Sequence, residues 1–108
     1  DYILDKISNL RIFTDENDKM NLSVKDIGGG LLIVPNFTLY GDARQGRRPG
    51  YSNAAQPEKA ADMFDRLKEK ASQIDVKKVE FGIFQADMKV ELLNDGPVTI
   101  LLDSHKNF

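Results

Sequence analysis

The sequence predicts a mixed α/β fold, built as a single domain that spans residues 1–108. Two observations support this prediction. Between Pro57 and Ile74, apolar side chains recur every three or four residues, which is the period of an amphipathic helix. Two runs of β-branched and other apolar residues, Leu31–Tyr40 and Val98–Asp103, are instead typical of strands. A chain of 108 residues can bury one hydrophobic core, with little margin.

The N-terminal segment predicts a helix followed by a pair of short strands. Residues 1–10 have apolar side chains at helical spacing, at Tyr2, Ile3, Ile7 and Leu10. Residues 11–13 are suited to a short strand, and residues 14–19 are polar enough for a turn. Leu22 and Val24 alternate with polar neighbours, which predicts the returning strand. Three consecutive glycines then predict a flexible turn before the next apolar run.

Leu31–Tyr40 is the longest apolar run, and the pattern predicts one buried strand along its whole length. Pro35 is the exception within it. Proline has no N–H to donate to a ladder, so the strand should be bulged or at a sheet edge there. A bulge changes the direction of the residues that follow. We therefore expect Asn36, Phe37 and Thr38 to be presented at a rim.

The second half of the chain alternates a loop, a helix and three strands. Residues 41–56 are rich in glycine, arginine and polar side chains, which predicts a loop, and Pro57 opens the helix. The strands are predicted over residues 77–84, 88–93 and 98–103. Between the last two lies a Gly96-Pro97 step, where glycine permits unusual backbone angles and proline has a fixed φ. Such a corner leaves carbonyl groups without ladder partners, although a plain hairpin turn has the same residues.

Composition excludes several kinds of chemistry. The chain has no cysteine, so disulfides and thiolate nucleophiles are excluded. Its one histidine, His105, lies in the polar tail, which argues against a Ser-His-Asp triad and against a multi-histidine zinc site. We expect no metal and no cofactor. No apolar run reaches 18 residues and no signal peptide is present, so the sequence predicts a cytoplasmic protein without a membrane partner.

One segment differs from the rest in charge. Residues 41–50 contain three arginines and one aspartate, a net charge of +2, so the remaining residues sum to −4 in a chain of net charge −2. The arginines are Arg44, Arg47 and Arg48. Arginines beside glycines can hold phosphate groups. A solvated basic loop without a ligand is the open alternative.

Two short motifs resemble those of one family. Phe37-Thr38-Leu39 and the spaced set Asn94, Gly96, Pro97 and Thr99 are similar to the two signature segments of the D-aminoacyl-tRNA deacylases of the D-tyrosyl-tRNA deacylase type. Pro35 and Asn36 stand where that family usually has Ser and Gln. Residues 46–49 and 84–90 also resemble the family in order and spacing.

The resemblance implies a fold and an activity. The fold would be that of the D-tyrosyl-tRNA deacylases, with largely antiparallel β-sheet layers flanked by two helices, assembled as a homodimer with active sites at the interface. The N-terminal strands of the family would be missing from residues 1–108. The activity would be hydrolysis of the ester of a D-aminoacyl-tRNA, which proofreads chirality in translation. The arginines of residues 41–50 would contact tRNA phosphates.

The resemblance also assigns roles to residues. Thr38, Asn36 and Phe37 would lie at the reacting ester. Gly96 and Pro97, joined by a cis bond, would present two carbonyl groups to the substrate amino group in the neighbouring subunit's pocket, and an L side chain would collide with that rigid backbone. The remaining pocket positions would be Asn94, Thr99, Pro35, Leu39, Phe84 and Met88. Core packing is an equally open role for the last two.

The mechanism and the function class both have alternatives. Thr38 is the only side-chain nucleophile in the first motif, and no base is visible to activate it. We favour hydrolysis assisted by the substrate's own ribose hydroxyl, with backbone N–H groups that hold the oxyanion. A non-catalytic, nucleic-acid-associated dimer that retains the fold is the main alternative function, and a small metabolite-binding domain is a third.

Overall fold

The computed structural model describes residues 1–96 and 98–108 and has a mixed α/β architecture. Its two α-helices are α1 at Tyr2–Asn9 and α2 at Pro57–Ala71. Its strands in the described residues are β1 at Phe13–Thr14, β2 at Met20–Leu22, β3 at Gly30–Ile33 and β4 at Lys78–Phe81. A 3₁₀ helix covers Phe37–Tyr40. The mixed α/β class and both predicted helices are confirmed.

Helix α2 forms where the local sequence favours it. Pro57 occupies the start of the helix, where its fixed φ suits the first turn and its missing N–H costs no hydrogen bond. Glu58 lies in the first turn, and Lys68 and Lys70 lie in the last, so the charges complement the helix dipole. The buried face carries Phe64, whose ring packs edge-on against Phe81 of β4 and stacks with Phe84. This aromatic cluster attaches α2 to β4.

Helix α1 buries a different face from the one that the apolar spacing predicts. Leu4 and Ser8 are the buried residues, and Tyr2, Ile3, Ile7 and Leu10 are only partly buried. Ser8 can be buried because its hydroxyl donates to the Leu4 carbonyl at 2.6 Å, which satisfies the polar group within the helix.

The sheets are smaller and more mixed than the family resemblance implies. In the described residues, β1 pairs antiparallel with β2, whereas β3 pairs parallel with β4, in register from Gly30 opposite Lys78 to Ile33 opposite Phe81. The predicted largely antiparallel arrangement therefore holds for one of these two strand pairs. Parallel strands need a long crossover connection, and α2 lies within it.

Leu31–Tyr40 is not a single buried strand, and Pro35 is the reason. The parallel ladder ends with the Gly82 N–H, which donates to the Ile33 carbonyl at 2.8 Å. In the alternating parallel pattern the next donor would be residue 35, and a proline has no N–H to give. The chain leaves the sheet there and enters the 3₁₀ helix. Leu32 within β3 is 64% exposed, so burial of the run was also wrongly predicted.

The strands predicted at 88–93 and 98–103 do not form in the described residues. Both runs are apolar, yet the structure assigns neither to a sheet. Leu93 is 92% exposed, while Ile100 and Leu102 face an apolar cavity of about 250 Å³ together with Ile7 and Leu31. A strand needs a partner for its backbone groups, and within the described residues these runs have none. Composition alone therefore overpredicted them.

In the part of the chain that the structure describes, no helix is both long enough and apolar enough to cross a membrane.

We expect Gly82→Ala to lower the free energy of unfolding by about 1–3 kcal/mol, because the side chain would overpack the end of the sheet. An added Cβ would lie 2.9 Å from the Met88 sulfur, 3.3 Å from Pro35 Cδ and 3.4 Å from Val34 Cα. The methionine can move, but the proline ring and the backbone cannot do so freely. Urea unfolding measures the change.

Gly50→Ala is the matched control, because an added Cβ there meets nothing within 4 Å. We expect a change within about 0.5 kcal/mol. Equal effects of the two substitutions would contradict the close packing at Gly82.

Candidate functional site

The first motif is held by one side-chain oxygen. Asn36 has an extended backbone, with φ −152° and ψ 104°, and caps the 3₁₀ helix. Its Oδ1 accepts from the Thr38 backbone N–H at 3.1 Å and from the Thr38 hydroxyl at 2.6 Å. Asparagine is among the strongest N-cap residues because its short side chain reaches the backbone two residues on. Glutamine, one methylene longer, is not among the preferred cap residues.

This arrangement occupies the Thr38 hydroxyl. Its proton is directed at an amide oxygen, which is not a base at neutral pH, and in the described part of the chain no histidine or carboxylate bonds to the hydroxyl. A hydroxyl needs an adjacent base to become a nucleophile. In this geometry the Thr38 hydroxyl has no activating base among the described residues, and its role stays a prediction.

One backbone donor of this turn has no partner in the described part of the chain. The Thr38 N–H bonds to Asn36, but the Phe37 N–H has no acceptor among the described residues. The Phe37 side chain is 61% exposed, so solvent can reach the turn. Leu39 follows in the same turn, and its side chain is also exposed.

Two predicted pocket residues, Pro35 and Met88, meet at the end of the sheet. The space beside Gly82 is bounded by Pro35 and Met88, which lie on two different chain segments. Phe84 stacks on Phe64 with ring centroids 6.3 Å apart. That contact gives Phe84 a packing role. The substrate roles of Met88, Phe84 and Pro35 stay predictions.

The second motif lies on an exposed segment. Asn94 and Thr99 are exposed, and Gly96 has a φ of +157°, which residues other than glycine rarely adopt. Pro97 and the predicted cis bond that precedes it lie outside the described residues. Among the residues that are described, no hydrogen bond joins this motif to the first.

The arginine loop, residues 42–50, is closed at its base by a pair of backbone hydrogen bonds. The Asp42 N–H donates to the Gly50 carbonyl at 2.7 Å, and the Gly50 N–H donates to the Asp42 carbonyl at 2.9 Å. The predicted loop is therefore closed at its base by Asp42 and Gly50, which are called its neck below.

The three loop arginines are not equivalent. Arg44 donates from Nε at 2.9 Å and from Nη2 at 2.8 Å to the two oxygens of Asp42, and this bidentate contact lowers the pKa of the Asp42 carboxyl. Arg47 and Arg48 are exposed, and neither forms an ion pair with a described residue. The net charge of +2 therefore resides on Arg47 and Arg48.

Tyr51 contacts the first motif, and the sequence pattern did not predict this contact. Its ring lies edge-on to Phe37, with centroids 5.1 Å apart, and its edge would be 3.1 Å from a Cβ at Gly41. Tyr51 follows Gly50 directly, so it stands at the neck of the arginine loop. An aromatic residue just after the residue that closes a loop was the available signal.

Two other features lie away from the motifs. An open cleft of about 470 Å³ between α1 and α2 is lined mainly by charged and polar side chains, including Asp5, Arg66 and Glu69, and by no motif residue. Within residues 1–96 and 98–108, no group of three or more His, Asp or Glu side chains is placed to hold a metal ion.

Comparison with known proteins places the chain in a family. The sequence model described as D-Tyr-tRNA(Tyr) deacylase matches residues 1–103. The chain belongs to this deacylase family. A D-aminoacyl-tRNA deacylase of Clostridioides difficile (strain 630) is 64% identical over 108 residues, and one of Caldicellulosiruptor bescii is 56% identical over the same length. In both cases the alignment covers 100% of this chain and 72% of the relative. The resemblance that the two motifs indicated is confirmed.

A solved structure shares the fold of this chain. The protein named c-Myc DNA Unwinding Element Binding Protein superposes with a TM-score of 0.85 at 35% sequence identity. The superposition covers 95% of this chain and 70% of that one. The short strands and two helices of the present chain are thus arranged as in that solved structure.

We expect Asn36→Ala to loosen the first motif by removing both hydrogen bonds at once. Loss of an asparagine cap typically costs about 0.5–2 kcal/mol, so the free energy of unfolding should fall within that range. Amide exchange measured by NMR should become faster at Thr38, because its N–H loses its acceptor.

Asn36→Ser is the control, since serine is an equally good cap with a neutral oxygen. It should retain slow exchange at Thr38. Equally fast exchange in both variants would show that the Asn36 bonds do not order the turn.

Proposed function

We propose that the protein hydrolyses the ester bond of D-aminoacyl-tRNA and releases the free D-amino acid and the tRNA. The observation that carries this proposal is the match of the entire chain to proteins named D-aminoacyl-tRNA deacylase at 52–64% identity. The reaction is a hydrolysis of a carboxylic ester and serves as chirality proofreading in translation. Its substrate is found where translation takes place, so we place the protein in the cytoplasm.

We infer that the reaction proceeds without a protein nucleophile. The support is the bond from the Thr38 hydroxyl to Asn36 Oδ1, together with the lack of a base beside it in the described residues. The neighbouring ribose hydroxyl of an aminoacyl ester can take part in hydrolysis directly. The Phe37 N–H, for which the described residues offer no acceptor, is then available to the developing oxyanion. Removal of one such donor typically costs about 10²–10³ in rate.

We propose that D-selectivity depends on Gly96 and Pro97 acting across a homodimer. The positive φ of Gly96 supports a tight corner in the second motif, although Pro97 lies outside the described residues. Asn94 and Thr99 flank that corner. A wall formed by backbone carbonyls rejects the L side chain through steric conflict. A symmetric dimer would place each corner in its partner's pocket.

Exposed apolar side chains support the proposed dimer, because an interface could bury them. Leu32, Leu39, Leu92 and Leu93 are each more than 60% exposed in the isolated chain. Association that buries such side chains removes apolar surface from water, which is favourable. A monomer in sedimentation experiments at micromolar concentration would contradict the dimer.

A second candidate function follows from one comparison. The relative of known structure bears a name that refers to a DNA unwinding element, and the first motif of the present chain departs from the family at Pro35 and Asn36. A nucleic-acid-associated dimer that retains the fold without hydrolysis would fit both facts. It predicts tight tRNA binding with no turnover.

The two functions are separated by one assay. We expect loss of the ester from D-tyrosyl-tRNA and retention of the ester on L-tyrosyl-tRNA when each is incubated with the protein. Acid precipitation of radiolabelled substrate measures the remaining ester. Binding of both substrates without ester loss would support the second candidate function and overturn the first.

We expect Thr38→Val to keep the rate of D-aminoacyl-tRNA hydrolysis within about tenfold of the unmodified protein. The backbone N–H survives this substitution, and only a hydrogen bond of about 1 kcal/mol is removed. Single-turnover kinetics measure the rate. In the same assay, a substrate that ends in 2′-deoxyadenosine should react far more slowly, because it lacks the assisting hydroxyl.

Two outcomes would overturn the substrate-assisted mechanism. One is an acyl-threonine at position 38 detected by mass spectrometry. The other is an equal rate for the 2′-deoxy and the normal substrates, which would leave the ribose hydroxyl without a role.

A further inference from the structure

Three exposed aromatic side chains lie at the foot of the arginine loop. Tyr40 precedes the neck formed by Asp42 and Gly50, and Tyr51 follows it. Phe37 touches Tyr51 edge-on. As whole residues, Phe37 is 61% exposed, Tyr40 is 56% exposed and Tyr51 is 38% exposed. Phe37, Tyr40 and Tyr51 are called the aromatic shelf below.

The shelf is held in place by contacts that leave ring surface exposed. Gly41 lies between Tyr40 and the neck, and its hydrogen atoms allow the Tyr51 ring to approach within 3.1 Å of where a Cβ would be. The Gly41 N–H donates to the Thr38 carbonyl at 3.0 Å, which ties the neck to the end of the 3₁₀ helix. The Tyr51 ring is therefore packed against the Gly41 backbone.

The charge around the shelf favours a polyanion. Residues 27–56 contain a single acidic residue, Asp42, although the chain as a whole contains 17. Arg44 neutralises that carboxylate through its bidentate contact. The charges that remain in residues 27–56 are those of Arg47 and Arg48, which lie in the arginine loop. An otherwise acidic protein thus presents one segment without uncompensated negative charge.

Exposed aromatic rings beside unpaired arginines are the elements that bind single-stranded nucleic acid. Unpaired bases stack on aromatic side chains, while basic side chains follow the phosphates. Paired bases in a duplex are already stacked and cannot use such rings.

We propose that the aromatic shelf stacks unpaired bases of an RNA strand while Arg47 and Arg48 contact its phosphates. This assignment rests on the proposed function, because it supplies a contact for the strand that carries the ester. The surface begins at Phe37 of the first motif and extends from the reacting groups to Tyr40 and Tyr51. The arginine loop then contributes affinity, and the shelf contributes selectivity for single strands over duplexes.

The test uses RNA that carries no amino acid, so that binding is measured apart from hydrolysis. A fluorescently labelled single strand of ten nucleotides and the matching duplex are titrated against the full chain by fluorescence anisotropy at several salt concentrations. We expect Tyr51→Leu to weaken binding of the single strand by about fivefold to a hundredfold, as removal of a stacking ring typically does, and to change duplex binding little. Tyr51→Phe, which retains the ring, should restore binding.

The arginine variants give a different signature. For Arg47→Ala and Arg48→Ala, the log–log slope of single-strand affinity against salt should become shallower by roughly 0.7 for each phosphate that the variant no longer neutralises. Arg44→Ala should change it less, since that side chain is already engaged by Asp42. Tyr2→Leu and Arg66→Ala, on the two helices, are matched controls, and both should bind as the unmodified protein does.

Each result decides the proposal. Unchanged single-strand affinity in both Tyr51→Leu and Tyr40→Leu would overturn it, as would equal weakening of single-strand and duplex binding. Should circular dichroism show that Tyr51→Leu does not fold, Tyr40→Leu provides the same comparison at a more exposed ring.

A protein that binds the strand through the shelf but hydrolyses no D-aminoacyl ester would retain this inference and overturn the deacylase function. Hydrolysis of the D-aminoacyl ester, together with unchanged single-strand binding in the tyrosine variants, would support the deacylase function and overturn this inference.

Discussion

The missing N–H of Pro35 is the constraint on which the arrangement of the site depends. The parallel ladder of β3 and β4 can continue only while each strand supplies a donor at every second residue, and residue 35 cannot supply one. The ladder ends at Gly82, and the apolar run that follows is released from the sheet. As a result, the segment that resembles the family's first motif is an exposed 3₁₀ turn.

Asn36 compensates locally for the sheet that Pro35 ends. A released segment would be mobile unless its polar groups found partners, and Asn36 Oδ1 accepts two hydrogen bonds from Thr38. Pro35 and Asn36 thus act as a unit: one ends the strand and the other orders the turn. The first motif is therefore ordered by a combination of two adjacent side chains.

The same turn connects the site chemistry to the charged surface. Phe37 lies in the 3₁₀ helix and also contacts Tyr51, which follows the neck of the arginine loop. The orientation of the loop is therefore coupled to the geometry of the motif through one aromatic contact and the backbone bond at Gly41. Within the loop, pairing of Arg44 with Asp42 leaves the net positive charge on Arg47 and Arg48.

The features that depend on local interactions could be predicted from the amino-acid sequence. Both helices follow from apolar spacing and from Pro57, because helical hydrogen bonds join residues four apart. The motif residues and the family followed from short segments as well. Tertiary structure decided everything that requires a distant partner: the parallel pairing of β3 with β4, the aromatic contact of Phe64 with Phe84, and the failure of residues 98–103 to form a strand. An apolar run carries the propensity for a strand, but only a neighbouring backbone can satisfy its N–H and C=O groups, and no local pattern specifies that neighbour.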